Sequence, residues 1–151
     1  MFDILHRVGI KASPDEVYQA LATPEGVAAW WTTSTTGDRT TGGAIRTVFI
    51  ADGKELGAFD LKLLELHAAK RVVWQVLGGP PEWLGSKITF ELKTEDGYTI
   101  ILFKHEGWKE PVEFMYHCST KWATFLMSLK SLVETGTGQP SPTDVRISNW
   151  H

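Results

Sequence analysis

The sequence predicts an α+β domain of two layers, in which a curved antiparallel sheet packs on one long C-terminal helix. Five strand-like runs follow one another between residues 44 and 108, and two Asp-Gly pairs, at residues 52–53 and 96–97, are typical of hairpin turns. An apolar stripe with helical spacing then extends from about residue 112 to residue 134. A sheet with one apolar face needs a cover, and this helix is the predicted element long enough to supply it.

The N-terminal region predicts one strand and then two short helices. Residues 2–12 alternate as a strand does. Ser13, Pro14 and Glu16 have the pattern of a capped helix start, and Thr23 followed by Pro24 repeats it. Two short helices are therefore expected between residues 13 and 31. The apolar residues that share one parity of the strand are Phe2, Ile4, Val8 and Ile10.

A Thr- and Gly-rich segment, Thr32 to Gly43, separates these helices from the series of strands and is predicted to be a polar loop. Loops of this length without secondary structure are often functional. We therefore expect Thr32–Gly42 to act as a lid over the mouth of a cavity.

The strand-like runs after this loop are AIRTVFI, GAFDLKLLEL, RVVWQVL, SKITFELK and YTIILFKHEGW. In the fourth run the apolar Ile88, Phe90 and Leu92 alternate with polar residues, which predicts that these three side chains face the core. Together with the N-terminal strand, the sequence predicts six strands.

The long helix carries apolar residues at intervals of three and four. Gly136 and Gly138 end it, and Pro140 and Pro142 prevent its resumption. Residues 1–135 are therefore expected to form a single domain, and residues 136–151 a tail that packs on it through Val145, Ile147 and Trp150. The helical stripe consists of Met115, Cys118, Trp122, Phe125, Leu129 and Leu132.

Composition excludes several classes of protein. The chain of 151 residues has a hydrophobic share of 42% and a net charge of −3, without the basic stripe of a nucleic-acid binder. No apolar run is long enough to span a membrane, and the N-terminus does not have the pattern of a signal peptide. One cysteine, Cys118, excludes an intrachain disulfide and favours a cytoplasmic location.

The segments IKASPDEVYQALATPEGVAAWW, GGAIRTVF and KWATFLMSLKSLVETG occur here in an order that resembles the helix-grip proteins of the START-like, or SRPBCC, superfamily. Within it, the chain is most similar to bacterial homologues of the Aha-type activator of heat-shock-protein ATPase. The resemblance covers nearly the whole chain and implies a seven-stranded sheet that grips the long helix around a cavity. A seventh strand is then expected where alternation breaks at Leu63 and Leu64, or in the tail.

Seven tryptophans suggest that some aromatic side chains line such a cavity. Trp83 lies in a stiff GGPPEWLG loop and Trp108 ends a strand, positions that fit a cavity mouth. Trp30 is expected to anchor its helix while Trp31 turns toward the rim, although adjacent positions do not decide which does which. Trp122 is expected in the solid core. The predicted ligand-binding residues are Trp31, Trp83, Trp108, Tyr116, His6, Trp74 and Phe90.

Chemical motifs are few. The histidines have no metal-ligand spacing, so no metal or other cofactor is expected. His6 shares the inward parity of its strand and is the best candidate for a polar contact inside the cavity. Cys118 lies in the apolar stripe and is interpreted as a small buried hydrophobe. No catalytic residue can be assigned from these patterns.

Three functions remain open at this point. The first is binding of a small, largely apolar or aromatic ligand in the cavity. The second is an enzyme of polyketide cyclase, dehydratase or hydrolase type, which needs a titratable group inside the same cavity. The third is a co-chaperone-like domain that binds a chaperone or another protein, a role linked to the stress response by the resemblance. The sequence does not indicate an oligomeric state.

Overall fold

The computed structural model describes residues 2–151. Its seven strands form one antiparallel sheet in the order β1-β7-β6-β5-β4-β3-β2, with two short helices after the first strand and a long helix at the end. The predicted α+β helix-grip fold class is confirmed. The elements in chain order are β1 Phe2–Ile10, α1 Pro14–Ala22, α2 Pro24–Ala28, β2 Ser34–Gly37, β3 Ala44–Ala51, β4 Lys54–His67, β5 Arg71–Gly78, a 3₁₀ turn Pro81–Trp83, β6 Lys87–Glu95, β7 Tyr98–Trp108 and α3 Glu113–Thr135.

The helix ends follow the local sequence. Ser13 forms a capping box with Glu16 at the start of α1, and the Thr23 hydroxyl accepts from the Gly26 amide at the start of α2. Gly136 ends α3 in the left-handed conformation, with φ of 90°, which a residue without Cβ adopts at little cost. None of the helices in residues 2–151 is long and apolar enough to cross a membrane.

Both Asp-Gly pairs form two-residue hairpin turns with positive φ at each position. The first joins β3 to β4 and the second joins β6 to β7. This geometry fixes the register, so that alternate side chains of each strand reach the core. In β6, Ile88, Phe90 and Leu92 are buried as the alternation predicts.

The seventh strand lies in the segment that was predicted to be a loop. Ser34–Gly37 pairs with β3 as the edge of the sheet, whereas the break at Leu63 and Leu64 is a register shift within the continuous strand β4. The expectation that residues 32–43 are all loop is therefore wrong. Its cause is physical: an edge strand buries little, and here Thr35 is the one buried side chain of the four, so no apolar alternation marks it.

The core lies between the concave face of the sheet and the two helical regions. Trp30, at the end of α2, is fully buried, and its indole N–H donates to the Ala20 carbonyl at 2.8 Å. The Ser128 hydroxyl of α3 donates to the Trp30 carbonyl at 2.8 Å and accepts from the Gln139 amide at 2.7 Å. These bonds join both helical regions to the start of the C-terminal segment.

The C-terminal segment returns across the domain and is pinned at Ser141. The Ser141 amide donates to the Trp31 carbonyl at 2.9 Å, and the Ser141 carbonyl accepts from the Thr33 amide at 3.0 Å. Its hydroxyl donates to the Ile50 carbonyl at 3.1 Å. Residues 142–151 therefore start from a fixed point beside β3 and run toward α3.

Candidate functional site

A cavity of about 380 Å³ lies between the sheet, α3 and the C-terminal segment. Its volume falls in the range of pockets that hold small molecules, about 300–1,000 Å³. Most of its wall is aromatic or aliphatic, with polar groups concentrated on one side. The lining residues come from α2 and its exit (Trp31), from the β3–β4 hairpin (Phe49, Leu56, Gly57, Phe59), from the loop after β5 (Pro80, Trp83), from α3 (Phe114, His117, Cys118, Lys121, Trp122, Phe125) and from the C-terminal segment (Ser141, Asp144, Trp150, His151).

Four of the lining rings have nearly parallel planes, and we call Trp31, Phe59, Trp83 and Trp122 the aromatic quartet. Each is stacked with two others of the set. Such offset stacking is the preferred arrangement of aromatic pairs and adds stability beyond the area it buries. The four contacts are Trp31–Trp122 (centroids 5.1 Å apart, planes at 24°), Trp122–Trp83 (6.0 Å, 16°), Trp83–Phe59 (4.4 Å, 12°) and Phe59–Trp31 (6.2 Å, 19°).

The adjacent tryptophans have different roles because they lie where α2 ends. Trp30 is held in the core by its bond to Ala20 and does not line the cavity, whereas Trp31 belongs to the quartet. The Trp31 amide donates to the Val27 carbonyl at 2.9 Å, and its own carbonyl accepts from Ser141. Its backbone is thus fixed from both sides.

Trp83 reaches the cavity from the 3₁₀ turn, and a buried hydrogen-bond chain fixes that turn. The Ser86 hydroxyl donates to the Trp83 carbonyl at 2.6 Å. Ser86 Oγ lies 2.8 Å from His105 Nε2, and the indole N–H of Trp122 donates to His105 Nδ1 at 3.2 Å. This hydrogen-bond chain therefore connects Trp83 and Trp122, two members of the quartet, through His105 of β7.

These partners determine the state of His105. An indole N–H can only donate, so Nδ1 must accept and the proton of the neutral ring lies on Nε2, which donates to Ser86. Burial lowers the pKa of His105 to about 3, so the ring is neutral near neutral pH. A serine nucleophile needs a histidine whose Nε2 accepts its proton. The Ser86–His105 pair has the opposite tautomer, and neither residue lines the cavity.

The polar side of the cavity is formed by α3 and the C-terminal segment. Lys121 Nζ lies 2.6 Å from Asp144 Oδ2, and both side chains are largely buried, at 13% and 3% exposed. Lys121 also donates to the Val145 carbonyl at 2.9 Å, and His151 Nε2 lies 3.4 Å from Asp144 Oδ1. The opposite charges of Lys121 and Asp144 are therefore neutralised by each other.

Trp150 and His117 form the rim next to this ion pair. Their rings are 5.4 Å apart, and Trp150 is 46% exposed. Burial, followed by the charges of Lys121 and His151, lowers the pKa of His117, which favours its neutral form. None of residues 32–43 lines the cavity, so the segment that covers it is the C-terminal one and not the predicted lid.

Cys118 lies on the cavity wall beside Trp83. Burial raises the pKa of its thiol to about 12, and the Trp83 indole N–H opposes this rise only in part, without a regular hydrogen bond between them. The thiol is therefore protonated and a poor nucleophile. Within residues 2–151, no three His, Cys, Asp or Glu side chains cluster closely enough to hold a metal ion.

The structure brings two of the seven predicted ligand-binding residues, Trp31 and Trp83, to the cavity. Trp74, Phe90 and Trp108 are buried in the core behind it. His6 points inward, but its Nε2 lies 3.1 Å from the Ser119 carbonyl of α3, so it joins β1 to that helix. Tyr116 is 71% exposed, because it lies on the face of α3 opposite the stripe.

Several lining residues were not predicted from the sequence. Trp122 was expected in the solid core, and the structure shows that one helical stripe both packs the core and lines the cavity. Phe49 and Phe59 lie on neighbouring strands whose aromatic content was a usable signal. No local sequence pattern points to Asp144, because its partner Lys121 lies 23 residues away in the sequence.

The family model described as Activator of Hsp90 ATPase homolog 1-like protein matches residues 11–134. The chain belongs to this family. The solution structure of the Aha1 dimer from Colwellia psychrerythraea is similar to it at 43% sequence identity and a TM-score of 0.79, covering 91% of this chain and 100% of that one. No curated protein matches the chain.

More distant structures share the fold alone. DynU16, a protein in the dynemicin biosynthetic locus, is 23% identical with a TM-score of 0.72, covering 90% of this chain and 48% of its own. CalU16 from Micromonospora echinospora is 20% identical with a TM-score of 0.66, covering 93% of this chain and 77% of its own. The Aha1-like fold of this chain is therefore common to proteins from quite different settings.

Proposed function

We propose that this Aha1-like protein binds a small, largely apolar ligand in the cavity between its sheet and α3. The observation that carries the proposal is the aromatic quartet, whose four rings line a cavity large enough for a small molecule. Apolar walls with a few polar groups on one side are typical of ligand pockets. A planar ligand fits this wall best, because it stacks on the quartet without changing the orientation of the rings. A cytoplasmic location, expected from the single cysteine, is part of the proposal.

The state of the titratable groups favours binding over catalysis. Lys121 and Asp144 neutralise each other, and Cys118 is held as a thiol. The Ser86–His105 pair has the wrong tautomer for a hydrolase. A cyclase or dehydratase needs a positioned acid or base with a free hydrogen-bonding site. These features argue against a hydrolase that uses Ser86 or Cys118, whereas the neutral ring of His117 at the rim leaves the cyclase or dehydratase alternative open.

The proposal is tested with a variant that fills the cavity. N-phenyl-1-naphthylamine is an uncharged fluorescent probe of apolar sites, and the wild-type protein is expected to bind it with a micromolar dissociation constant. Cys118→Phe places a ring inside the cavity and should weaken binding by at least about tenfold, whereas Cys118→Ala should not. Equal binding by all three proteins would place the probe elsewhere and contradict the proposal.

A second candidate function, association with protein, is favoured by one observation. The Aha1 structure from Colwellia psychrerythraea, 43% identical to this chain, is a dimer. The family description names activators of a chaperone ATPase. Sedimentation velocity of the wild-type protein tests the first of these partners, a second copy of the chain. A dimer at micromolar concentration would support self-association, and a monomer over the whole range would contradict it.

A further inference from the structure

β1 provides the longer of the two edges of the sheet. Among the strands of residues 2–151, the edge strands are β1, with nine residues, and β2, with four. The β2 edge is shielded, because it packs beside α2 and follows Thr33, whose amide bonds to the Ser141 carbonyl. A long edge strand exposes a row of backbone groups that can pair with another chain. The β1 edge is therefore the candidate interaction surface.

The backbone groups along this edge belong to the odd-numbered residues. The Gly9 carbonyl accepts from Lys130 Nζ at 2.5 Å, and the Lys11 amide donates to Glu134 Oε2 at 2.7 Å. Both partners are side chains of α3, and alternate residues of a strand direct their N–H and C=O groups to opposite edges. The odd-numbered groups therefore point away from β7. Those without a backbone partner outside the sheet, within the described chain, are Asp3, Leu5 and Arg7.

The side chains of these three residues lie on the convex face of the sheet. The even-numbered Ile4 and Ile10 are buried, so the odd positions face solvent. Leu5 is 64% exposed, and Asp3 and Arg7 are exposed on either side of it. The edge thus presents an apolar residue with an acid two positions before it and a base two positions after it.

This arrangement is complementary to itself. When two β1 strands pair antiparallel about a two-fold axis at Leu5, Leu5 opposes Leu5 of the second copy. Asp3 then opposes Arg7 of the second copy, and Arg7 opposes its Asp3. All three positions direct their backbone groups outward, so each opposed pair can exchange both backbone hydrogen bonds. Opposite charges across two strands attract, whereas like charges would keep the edges apart.

The contacts that these charges make within one copy are weak competitors. Arg7 pairs with Glu95, and both side chains are about half exposed. Asp3 Oδ1 accepts from the Gly107 amide at 3.3 Å at the surface. Exposed ion pairs contribute little to stability, so their exchange for a partner's charge costs little.

Exposed apolar side chains flank the same edge. Phe2 begins β1, and Leu102 lies on the neighbouring strand β7. Met127 is exposed on α3, three residues before Lys130, which contacts Gly9. Exposed apolar surface with polar residues around it is typical of protein–protein contacts.

We infer that two copies of this protein associate by antiparallel pairing of their β1 strands, in the register that places Leu5 opposite itself and Asp3 opposite Arg7. This inference rests on self-association, the second candidate function, and adds the surface, the symmetry and the register. None of Phe2–Ile10 lines the cavity, so pairing and ligand binding use separate surfaces.

The first test reverses the two charges one at a time. Asp3→Arg gives a strand with two arginines and Arg7→Asp a strand with two aspartates, so each variant opposes like charges when it pairs with itself. An equimolar mixture of the two variants restores both opposite-charge pairs. Sedimentation velocity over a range of micromolar concentrations gives the dimer dissociation constant of each protein and of the mixture.

We expect each variant alone to dimerise at least about tenfold more weakly than the wild type, and the mixture to recover most of the wild-type affinity. Glu25→Arg is the matched control, since it changes the charge as Asp3→Arg does, at an exposed position of α2. It should leave the dissociation constant unchanged.

The second test separates strand pairing from contact between side chains. Leu5→Pro removes an outward N–H and leaves the bonds between β1 and β7 in place, as proline on an edge strand does. We expect it to weaken the dimer at least about tenfold, and more than Leu5→Ala, which keeps the N–H. Circular dichroism confirms that each variant is folded. Should Leu5→Pro not fold, the mixture of charge variants decides alone.

The outcomes distinguish this inference from self-association itself. A wild type that stays monomeric over the whole range contradicts self-association, and the inference fails with it. If the wild type dimerises but both charge variants dimerise equally well, or their mixture is no stronger than either alone, the inference is overturned while self-association stands. Equal effects of Leu5→Pro and Leu5→Ala would likewise exclude strand pairing.

Discussion

The two sides of the cavity differ in what stabilises them. On the side of the sheet and α3, the aromatic quartet packs in the core, and a buried hydrogen-bond chain through His105 holds two of its rings. On the other side, most of residues 142–150 are exposed, and the segment contacts α3 mainly through the Lys121–Asp144 pair and the Trp150–His117 contact. Packing therefore forms the aromatic wall of the cavity, and a few polar contacts form its cover.

This difference has consequences for dynamics. Removal of one ring from a packed aromatic cluster lowers the free energy of unfolding strongly, and salt hardly changes the stability that such packing provides. A segment with few buried apolar contacts opens locally at low cost, whereas its largely buried ion pair is screened only weakly by salt. We expect the quartet side to unfold only with the whole domain and the C-terminal segment to open separately.

The strongest test of the packed side removes Trp122. Trp122→Ala deletes a ring that contacts Trp31 and Trp83 and leaves His105 Nδ1 without its donor. We expect it to lower the free energy of unfolding by about 3–5 kcal/mol, the usual cost of a buried tryptophan. Urea denaturation followed by circular dichroism measures it.

Tyr116→Ala is the matched control on the same helix. Because Tyr116 is 71% exposed, we expect a change of less than about 0.5 kcal/mol. A Trp122→Ala variant no less stable than this control would show that the quartet does not hold the domain together.

The next test uses pH to probe the buried hydrogen-bond chain that passes through His105. Its pKa is lowered by burial from 6.5 to about 3, so the unfolded state binds a proton that the folded state refuses. Stability is therefore complete above pH 6.5 and is lost as the pH falls toward 3, with a contribution of about 2 kcal/mol between pH 7 and pH 5. Denaturation at these two pH values, in the wild type and in His105→Gln, isolates that contribution.

We expect His105→Gln to be less stable than the wild type at neutral pH, because it loses the bonds to Ser86 and Trp122, and we expect its stability to fall less between pH 7 and pH 5. Subtraction of the two curves cancels the titration of all other groups. Parallel curves for the two proteins would mean that His105 takes up its proton in the folded state, contrary to the hydrogen bonds described above.

The smallest effect is expected at the cover. Asp144→Asn removes one partner of the ion pair, and the segment can detach while solvent reaches Lys121. We expect global stability to fall by about 1 kcal/mol or less, since only local structure depends on the pair. Local opening should increase clearly, and trypsin should cut after the exposed Arg146 several times faster.

The control for this experiment is Glu25→Gln, which breaks the exposed Arg39–Glu25 pair and should not change cleavage at Arg146. Raising the salt concentration should change cleavage of the wild type only slightly, because the Lys121–Asp144 pair is largely buried. Equal cleavage of wild type and Asp144→Asn at low salt would show that the ion pair does not hold the cover.

The sequence predicted the regular part of this molecule well, because local rules determine it. The capping box at Ser13, the two Asp-Gly hairpins and the stripe of α3 each act within a few residues. The edge strand Ser34–Gly37 was missed because it buries little apolar surface.

The site was harder to predict because its residues meet over long sequence distances. Periodicity shows that Trp122 faces inward, but it does not show whether a side chain meets another side chain or a cavity. The Lys121–Asp144 pair depends on the path of the C-terminal segment after Gly138. A Cβ there would lie 2.3 Å from the Ala29 carbonyl, so this path requires glycine.

The most direct measurement of the central claim is an NMR titration that uses the seven indole N–H signals as reporters. Addition of N-phenyl-1-naphthylamine is expected to shift the signals of Trp31, Trp83 and Trp122, which line the cavity. The signal of Trp30, whose N–H is bound to Ala20 in the core, should stay nearly unchanged. Saturable shifts confined to the lining tryptophans would support a ligand-binding cavity. If these three signals do not move at saturating probe, the account is contradicted.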